Sequence, residues 1–151
     1  PYEGLLRLGS IAQGPGIPEN KIVDEPVSTN DLAASFYDWA EIEKPKNIQS
    51  QSLRPLLEGK PETRDVAYSE WNQQPSRTGV ELNLRTVRTK NAKLTLELIS
   101  GSGEMYDLAD DPDEMTNRFD DPSKKTLQKE LADMIYERPG TIMESMPEHE
   151  A

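Results

Sequence analysis

The stretch from Asp65 to Leu108 constrains this chain most, because turn-forming residues cut it into four short β-forming runs. Asp65 to Trp71 reads as the first. The polar loop Asn72 to Gly79 leads to the second, Val80–Thr89, which is rich in β-formers. Lys90-Asn91-Ala92-Lys93 reads as a turn, and Leu94, Leu96 and Leu98 then alternate with polar residues, the period of a strand. The Gly-Ser-Gly turn at 101–103 leads to Glu104–Leu108. Four runs with hairpin-length connections predict an antiparallel sheet. A helix follows: Asp121 is placed to cap it, Pro122 suits its first position, and Leu127, Leu131, Met134 and Ile135 share one face. Pro139-Gly140 ends it, and residues 139–151 read as a mobile tail.

Upstream of this stretch the pattern differs. Leu5 to Ile11 is apolar except for Arg7, Gly9 and Ser10, which predicts one buried strand. Gly14-Pro15-Gly16 is a turn and lacks the Lys-Ser/Thr of a phosphate loop. A short extended stretch, Lys21 to Val27, runs up to Ser28. Ser28 can cap, Asp31 favours the positive end of a helix dipole, and Leu32, Phe36, Trp39 and Ala40 recur at helical spacing. The spacing predicts an amphipathic helix over 29–41. The polar segment 43–51, with Pro45, reads as a loop, and Ser52 to Glu58 as a short helix stopped by Gly59 and Pro61. A boundary is expected near 60–64, giving parts 1–62, 63–138 and the tail. No internal repeat is visible.

Composition excludes several functions. With 17 Lys and Arg against 28 Asp and Glu, the net charge is −11, the wrong sign for broad binding to a nucleic-acid backbone or an anionic membrane surface. No apolar run approaches the ~18 residues of a membrane span. Zero cysteines rules out disulfides, thiolate chemistry and Cys-ligated metal in this chain. The single histidine, His149, excludes a Ser-His-Asp triad or a multi-His metal site of the chain's own, since it stands alone two residues from the end. Leu, Ile, Val and Phe total 30 of 151 residues, about the 20% at which high charge begins to favour disorder. A self-contained domain of this length buries roughly 68–70% of its unfolded surface. So little apolar material, with Pro1 rather than Met at the start, is expected of a piece of something larger.

Three constellations stand out. Glu104 to Asp121 holds eight acids and one base, Arg118. Calcium takes clustered oxygens, but although Asp111 and Asp113 fit the first two positions of a calcium loop, Met115 occupies the third and the required Gly is absent. A solvated loop ending in a helix cap accounts better for it. Arg77, Arg85, Arg88, Lys90 and Lys93 form a basic stripe with one acid, Glu81. An anion-facing strand pair would use such a stripe, since Arg binds sulfate and phosphate bidentately. Neutralising the acidic segment is the simpler expectation. Glu70-Trp71-Asn72 ends the first strand, where polar and aromatic groups can line a cleft, and a buried Trp closing the core edge is the alternative. Ser28, Ser69 and Ser76 have no base in the chain to activate them. No catalytic residue and no metal ligand is assigned.

Several segments, read in order, resemble the later part of type I sulfatases, arylsulfatase-like members of the alkaline phosphatase superfamily. They are Tyr2-Glu3-Gly4 with Arg7, then Gly14-Pro15-Gly16-Ile17-Pro18, then Asp24-Glu25-Pro26-Val27-Ser28 with Asp31-Leu32-Ala33. Gln51-Ser52-Leu53-Arg54-Pro55-Leu56-Leu57-Glu58-Gly59 resembles the family's G-x-S-L-x-P-L-L-x-G, and Arg64 to Trp71 its next strand. Arg85-Thr86-Val87-Arg88-Thr89-Lys90 with Lys93-Leu94 resembles R-x-V-R-T…K-L. Glu104-Met105-Tyr106-Asp107-Leu108 with Asp111-Pro112, Glu114 and Asn117 resembles E-L-Y-D-L-x-x-D-P-x-E-x-x-N. Gln51, Met105 and Leu8-Gly9-Ser10 depart from the pattern without touching chemistry.

The resemblance implies an α+β chain. Residues 1–62 would be the last strand and helices of an α/β alkaline-phosphatase-like domain, and 63–138 a C-terminal subdomain of four antiparallel strands packed by one helix. It implies hydrolysis of sulfate esters by a formylglycine, with calcium or magnesium, and a catalytic Lys shortly before the Tyr-Glu-Gly segment, all preceding Pro1. This chain would then be inert alone, without cofactor of its own. It would shape a substrate cleft with Glu70, Trp71, Asn72 and Arg77, while Tyr2 and Glu3 support the active site. Its partners would be the remainder of the sulfatase chain and, for the parent, a sulfate-ester small molecule or sugar, with self-association expected of the isolated piece. The competing readings are a related phosphate or phosphonate ester hydrolase and a stand-alone interaction or oligomerisation module. Low apolar content favours the sulfatase, because an isolated module would expose a sheet face.

Overall fold

The four β-forming runs become strands β1 (Val66–Gln73), β2 (Leu82–Thr89), β3 (Ala92–Glu97) and β4 (Gly103–Asp107) in a computed structural model. The structure describes residues 1–60 and 64–138, the side chains of Arg77 and Thr78 excepted. The helices are α1 (Glu3–Leu6), α2 (Asp31–Trp39), α3 (Arg54–Leu57), α4 (Pro75–Thr78) and α5 (Lys125–Tyr136). They form two compact units, one of Arg7–Ala67 and one joining Pro1–Leu6 to the chain from Tyr68 onward.

In the second of these the strands lie in the order β1-β2-β3-β4, a four-stranded antiparallel meander. The register pairs Val87 with Leu94 and Leu94 with Met105, and this row is fully buried. Helix α5 packs on β2 and β3; Leu131 and Ile135 of its predicted apolar stripe are buried together with Ala132, while Leu127 and Met134 are half-buried. Each large side chain so buried contributes roughly 1.5–3 kcal/mol, so this seam carries the unit. Asp121 starts the helix as expected, its Oδ1 accepting the Ser123 amide at 2.9 Å, with a 3-10 turn over Pro122–Lys124. The β2–β3 turn is tighter than expected, only Lys90-Asn91. Thr89 Oγ1 closes it by accepting the Ala92 amide and donating to the Ala92 carbonyl, both at 3.1 Å.

All of Ala92–Leu96 is buried, although successive side chains point to opposite faces. Both faces of β3 are therefore covered. On the face away from Leu94, Thr86 and Thr95 share a 2.9 Å hydrogen bond, and the register lines up Arg88, Lys93 and Tyr106.

The Arg7–Ala67 unit is built on polar contacts. Ser28 and Asp31 form the turn that leads into α2, which runs over Asp31–Trp39 with Asn30 at its cap position rather than over the expected 29–41: the Asp31 carboxylate accepts the Ser28 amide at 2.7 Å and Ser28 Oγ accepts the Asn30 amide at 3.3 Å. Ser35 Oγ donates to the Asp31 carbonyl and accepts the Leu53 amide at 2.8 Å, which ties α2 to the start of α3. Gly59, at φ +83°, ends α3: its amide meets the Leu56 carbonyl and the Lys60 amide the Pro55 carbonyl.

Two expectations are corrected. Residues 5–11 form no strand; the chain closes a helical turn instead, the Leu5 and Leu6 amides donating to the Tyr2 carbonyl. A strand needs a paired neighbour, and residues 5–11 have none among the described residues, so Leu5, Leu8 and Ile11 are exposed. The apolar face of α2 is also turned outward: Leu32, Phe36 and Trp39 are exposed while Asp31, Ala34 and Ser35 are buried. Asp31 and Ser35 find several hydrogen-bond partners inside, which outweighs the apolar spacing. The tail 139–151 and the boundary at 62–63 lie outside the described residues.

Candidate functional site

Two clusters hold the residues singled out from sequence, both in the sheet unit. The first is at the end of β1. Alternation puts Glu70 and Asn72 on one face and Trp71 on the other. From β2, Arg85 Nη1 donates to Asn72 Oδ1 at 2.8 Å and to the Leu84 carbonyl at 2.9 Å, and its Nε lies 3.5 Å from Glu70 Oε1. Arg138, just past α5, donates its Nε to the same Glu70 oxygen at 2.7 Å and its Nη1 to the Ile135 carbonyl at 2.9 Å. The two guanidinium side chains are 1% and 4% exposed, whereas that of Glu70 is 48% exposed. Glu70 is thus the visible end of a buried ionic cluster. Nearby, burial and the charge of Glu137 push the Tyr68 hydroxyl up. Trp71 is 51% exposed, so it does not close the core edge. Arg77 is carried on α4, with its side chain outside the description.

The second cluster gathers Tyr2 and Glu3 around Lys93. The Lys93 side chain is 1% exposed; its Nζ donates to the Pro1 carbonyl at 2.8 Å, pairs with Glu114 Oε1, and lies 3.9 Å from Glu3 Oε1. The Glu3 amide donates to Glu114 Oε2 at 2.6 Å, and Arg88 Nη2 stands 3.4 Å from Glu3 Oε2. The rings of Tyr2 and Tyr106, 6.2 Å apart, flank the ammonium at 5.9 and 5.6 Å. Burial, then a hydrogen bond with Tyr2, pushes the Tyr106 hydroxyl well up, so it stays protonated. Tyr2 Oη donates to Glu104 Oε1 at 3.4 Å.

The basic stripe therefore does not simply neutralise the acidic segment. Lys93 reaches Glu114, but Arg88 turns to Glu3 and Arg85 to Glu70. The reason is register: Arg85 falls on the α5 face with Leu96, Arg88 on the opposite face with Lys93.

The acidic segment is occupied by its own fold. Lys124 takes Asp107 at 2.8 Å, and Asp111 accepts the Met115 and Thr116 amides at 3.0 and 2.8 Å. Asn117 Oδ1 accepts the Met105 and Phe119 amides. Among the described residues no three His, Cys, Asp or Glu side chains come together as a metal-holding group. With Asp107 engaged by Lys124 and Asp111 by backbone amides, this segment does not fit a calcium or magnesium ion. His149 lies outside the described residues. What these clusters can do is bind and position, through a half-exposed carboxylate, an exposed indole and a fixed segment 1–6.

Sequence reasoning missed Glu114 and Arg138 as members and placed Lys93 only in a stripe. The quoted segments R-x-V-R-T…K-L and D-P-x-E-x-x-N contain Arg85, Arg88, Lys93 and Glu114, so a signal was present. Arg138 had none.

A family model described as N-sulphoglucosamine sulphohydrolase, C-terminal, matches residues 2–139. The N-acetylglucosamine-6-O-sulfatase of Bacteroides thetaiotaomicron is 32% identical over 143 residues, a match covering 90% of this chain and 25% of that protein. The solved structure of a 2-O GAG sulfatase superposes with a TM-score of 0.71 at 30% identity, covering 82% of this chain and 27% of that one. The phosphonate monoester hydrolase of Silicibacter pomeroyi shares the fold, with a TM-score of 0.70 at 20% identity over 82% of this chain and 27% of its own. The chain thus spans about a quarter of the length of the relatives it matches. Because the family match takes in both clusters and every described strand and helix, the chain belongs to the C-terminal domain family of the sulfatases.

Proposed function

We propose that this chain is the C-terminal part of an enzyme that hydrolyses sulfate esters of sugars, inert by itself and shaping the substrate cleft of the whole protein. The observation that carries the reading is the family match over residues 2–139. The relatives described above, an N-acetylglucosamine-6-O-sulfatase and a 2-O GAG sulfatase, support a sulfated sugar as the substrate class.

In this reading the reactive groups lie before Pro1: a formylglycine, a calcium or magnesium ion and a catalytic Lys. Cleaving a sulfate ester builds negative charge on the leaving oxygen, and such groups offset it. This chain contributes walls and supports. Trp71, half exposed, offers a flat apolar face for a sugar ring, while Glu70 and Asn72, on the opposite face of the same strand end, offer polar groups for hydroxyls. Arg77 is the candidate for a substrate anion. Tyr2 and Glu3 brace the chain next to the catalytic Lys. The outward face of α2, with Leu32, Phe36 and Trp39, receives the remainder of the sulfatase chain and drives self-association when the piece is isolated.

The test is sulfate release from p-nitrophenyl sulfate and from N-acetylglucosamine 6-sulfate, by the full-length protein and by residues 1–151 alone, both with calcium. Turnover is expected only from the full-length protein. Turnover by residues 1–151 above a heat-killed control overturns the inertness. A full-length protein cleaving phosphonate or phosphate monoesters but no sulfate overturns the substrate class. One that cleaves none of these, but forms a stable complex through the sheet unit, favours the interaction module.

A further inference from the structure

A buried ammonium ion is costly, because it gives up its hydration and must recover it from fixed partners. Lys93 recovers it from three separate stretches of chain: the Pro1 carbonyl and Glu3 carboxylate, the Glu114 carboxylate, and the rings of Tyr2 and Tyr106. With Arg88 on Glu3, two cations meet two carboxylates and the charge closes. Among the described residues the buried Glu3 Oε1 and Glu114 Oε1 have no hydrogen-bond partner, and both face this ammonium as ion-pair partners.

The loop that delivers Glu114 is held tightly. Glu114 sits at φ +57°, a left-handed conformation that a side chain bearing Cβ adopts only when its surroundings fix it. Asp111 supplies that fixing: its carbonyl accepts the Glu114 amide and its carboxylate those of Met115 and Thr116. Glu114 then presents Oε2 to the Glu3 amide at 2.6 Å. Main-chain atoms of both Pro1 and Glu3 are therefore bound, not only their side chains, and a bound main chain fixes where its neighbour in sequence begins.

We infer that Lys93 is a positioning residue of the full-length enzyme: with Glu114 it clamps the main chain at Pro1–Glu3 onto the sheet and thereby sets the reacting groups that precede Pro1. This rests on the sulfatase reading above. Lys93 itself touches no substrate; its effect passes through the clamped segment. Catalysis is steeply sensitive to such placement, a misplacement of ~1 Å costing on the order of 100-fold. The signature is a fall in kcat with KM nearly unchanged, because the sugar-binding wall at β1 lies on other residues.

The test uses the full-length protein with Lys93→Met, Lys93→Arg and Glu3→Gln, reading kcat and KM for sulfate release and amide hydrogen exchange at Glu3, Leu5, Leu94 and Met105. In Lys93→Met the expected result is a kcat at least tenfold lower, KM within threefold, and Glu3 and Leu5 exchanging at least tenfold faster while Leu94 and Met105 keep their protection. Lys93→Arg restores part of the kcat. Should Lys93→Met fail to fold, Glu3→Gln, which leaves the Lys93–Glu114 pair intact, is read instead and is expected to lower kcat at least threefold with Leu94 still protected. Unchanged exchange at Glu3 overturns the clamp, and faster exchange with unchanged kcat overturns the positioning role. A wild-type protein that releases no sulfate fails the sulfatase reading and takes the positioning role with it. The exchange data then judge the clamp on their own.

Discussion

Arg64 grips the carboxylate of Asp31 with both arms of its guanidinium, Nη1 to Oδ2 at 2.5 Å and Nη2 to Oδ1 at 3.0 Å. The same carboxylate accepts the amides of Ser28 at 2.7 Å and Gln51 at 3.1 Å, so one side chain joins the start of α2 to two later stretches. Both partners are nearly buried, at 3% and 9% side-chain exposure. Removing one member of such a pair strands the other charge, at about 3–5 kcal/mol. Asp31→Asn is expected to lower the urea midpoint of the full-length protein accordingly. The Asp31→Asn/Arg64→Met pair should cost less than the two single changes added. A single-mutant loss near zero would show the pair to be ornamental.

Gly103 opens β4 where there is no room for a side chain. A Cβ there would stand 2.5 Å from Phe119 Cε2 and 2.8 Å from the Thr95 carbonyl oxygen. Gly103→Ala should therefore destabilise by about 1–3 kcal/mol, the usual range for overpacking. Phe119→Ala in the same chain should recover part of that loss, the remainder coming from the unyielding Thr95 backbone. Additive losses in the double mutant would contradict this geometry.

The sheet was legible because alternation and turn residues are local: Leu94 and Leu96 mark one face of β3, and Gly101 and Gly103 mark the next turn. What lay on its other face was not, since Lys93 reads as a solvated polar position until segment 1–6 and Glu114 are brought over it. The failed strand at 5–11 and the inverted α2 face share one cause. Apolar spacing says which residues seek burial, but not which partner is present to bury them. Of the candidate site, Glu70, Trp71 and Asn72 were named from their place at a strand end. The buried guanidiniums of Arg85 and Arg138 beneath them arise from register and from a residue beyond the last helix, neither of which local pattern reaches.

Asp107 and Lys124 provide a pH reading. The Lys124 ammonium, bonded to Asp107, holds that carboxyl below its ordinary 3.8, and Asp107 in turn raises Lys124 above 10.5. The folded state thus binds its proton less readily at Asp107 than the unfolded chain does. The resulting stability is present above pH 3.8 and is lost as pH falls through the folded value. For Lys124 the contribution is present below pH 10.5 and is lost as pH rises through its folded value. The pair is solvent-facing, so the effect on stability is small and the titration itself is the better readout. Lys124→Met should raise the NMR titration midpoint of the Asp107 carboxyl toward 3.8. A midpoint that stays where it was would mean the ion pair is not formed in solution.

Glu70 and Trp71 are neighbours whose substitutions should separate structure from binding. Glu70 accepts from buried Arg138 and faces buried Arg85, so Glu70→Ala removes the carboxylate both are directed at. Hydrogen bonds to charged groups contribute about 1.5–3 kcal/mol net, and the unfolding free energy of the full-length protein, read by urea titration, should fall by an amount in that range. Trp71 is half exposed, and trimming it to Ala should change stability by no more than about 0.5 kcal/mol, as for surface positions generally. If Trp71 stacks a substrate sugar, the same change raises KM for a sulfated monosaccharide several-fold, yet leaves KM for p-nitrophenyl sulfate, which lacks the sugar, within twofold. Equal effects on the two substrates would remove the indole from the cleft, and a large stability loss in Trp71→Ala would make it part of the packing after all.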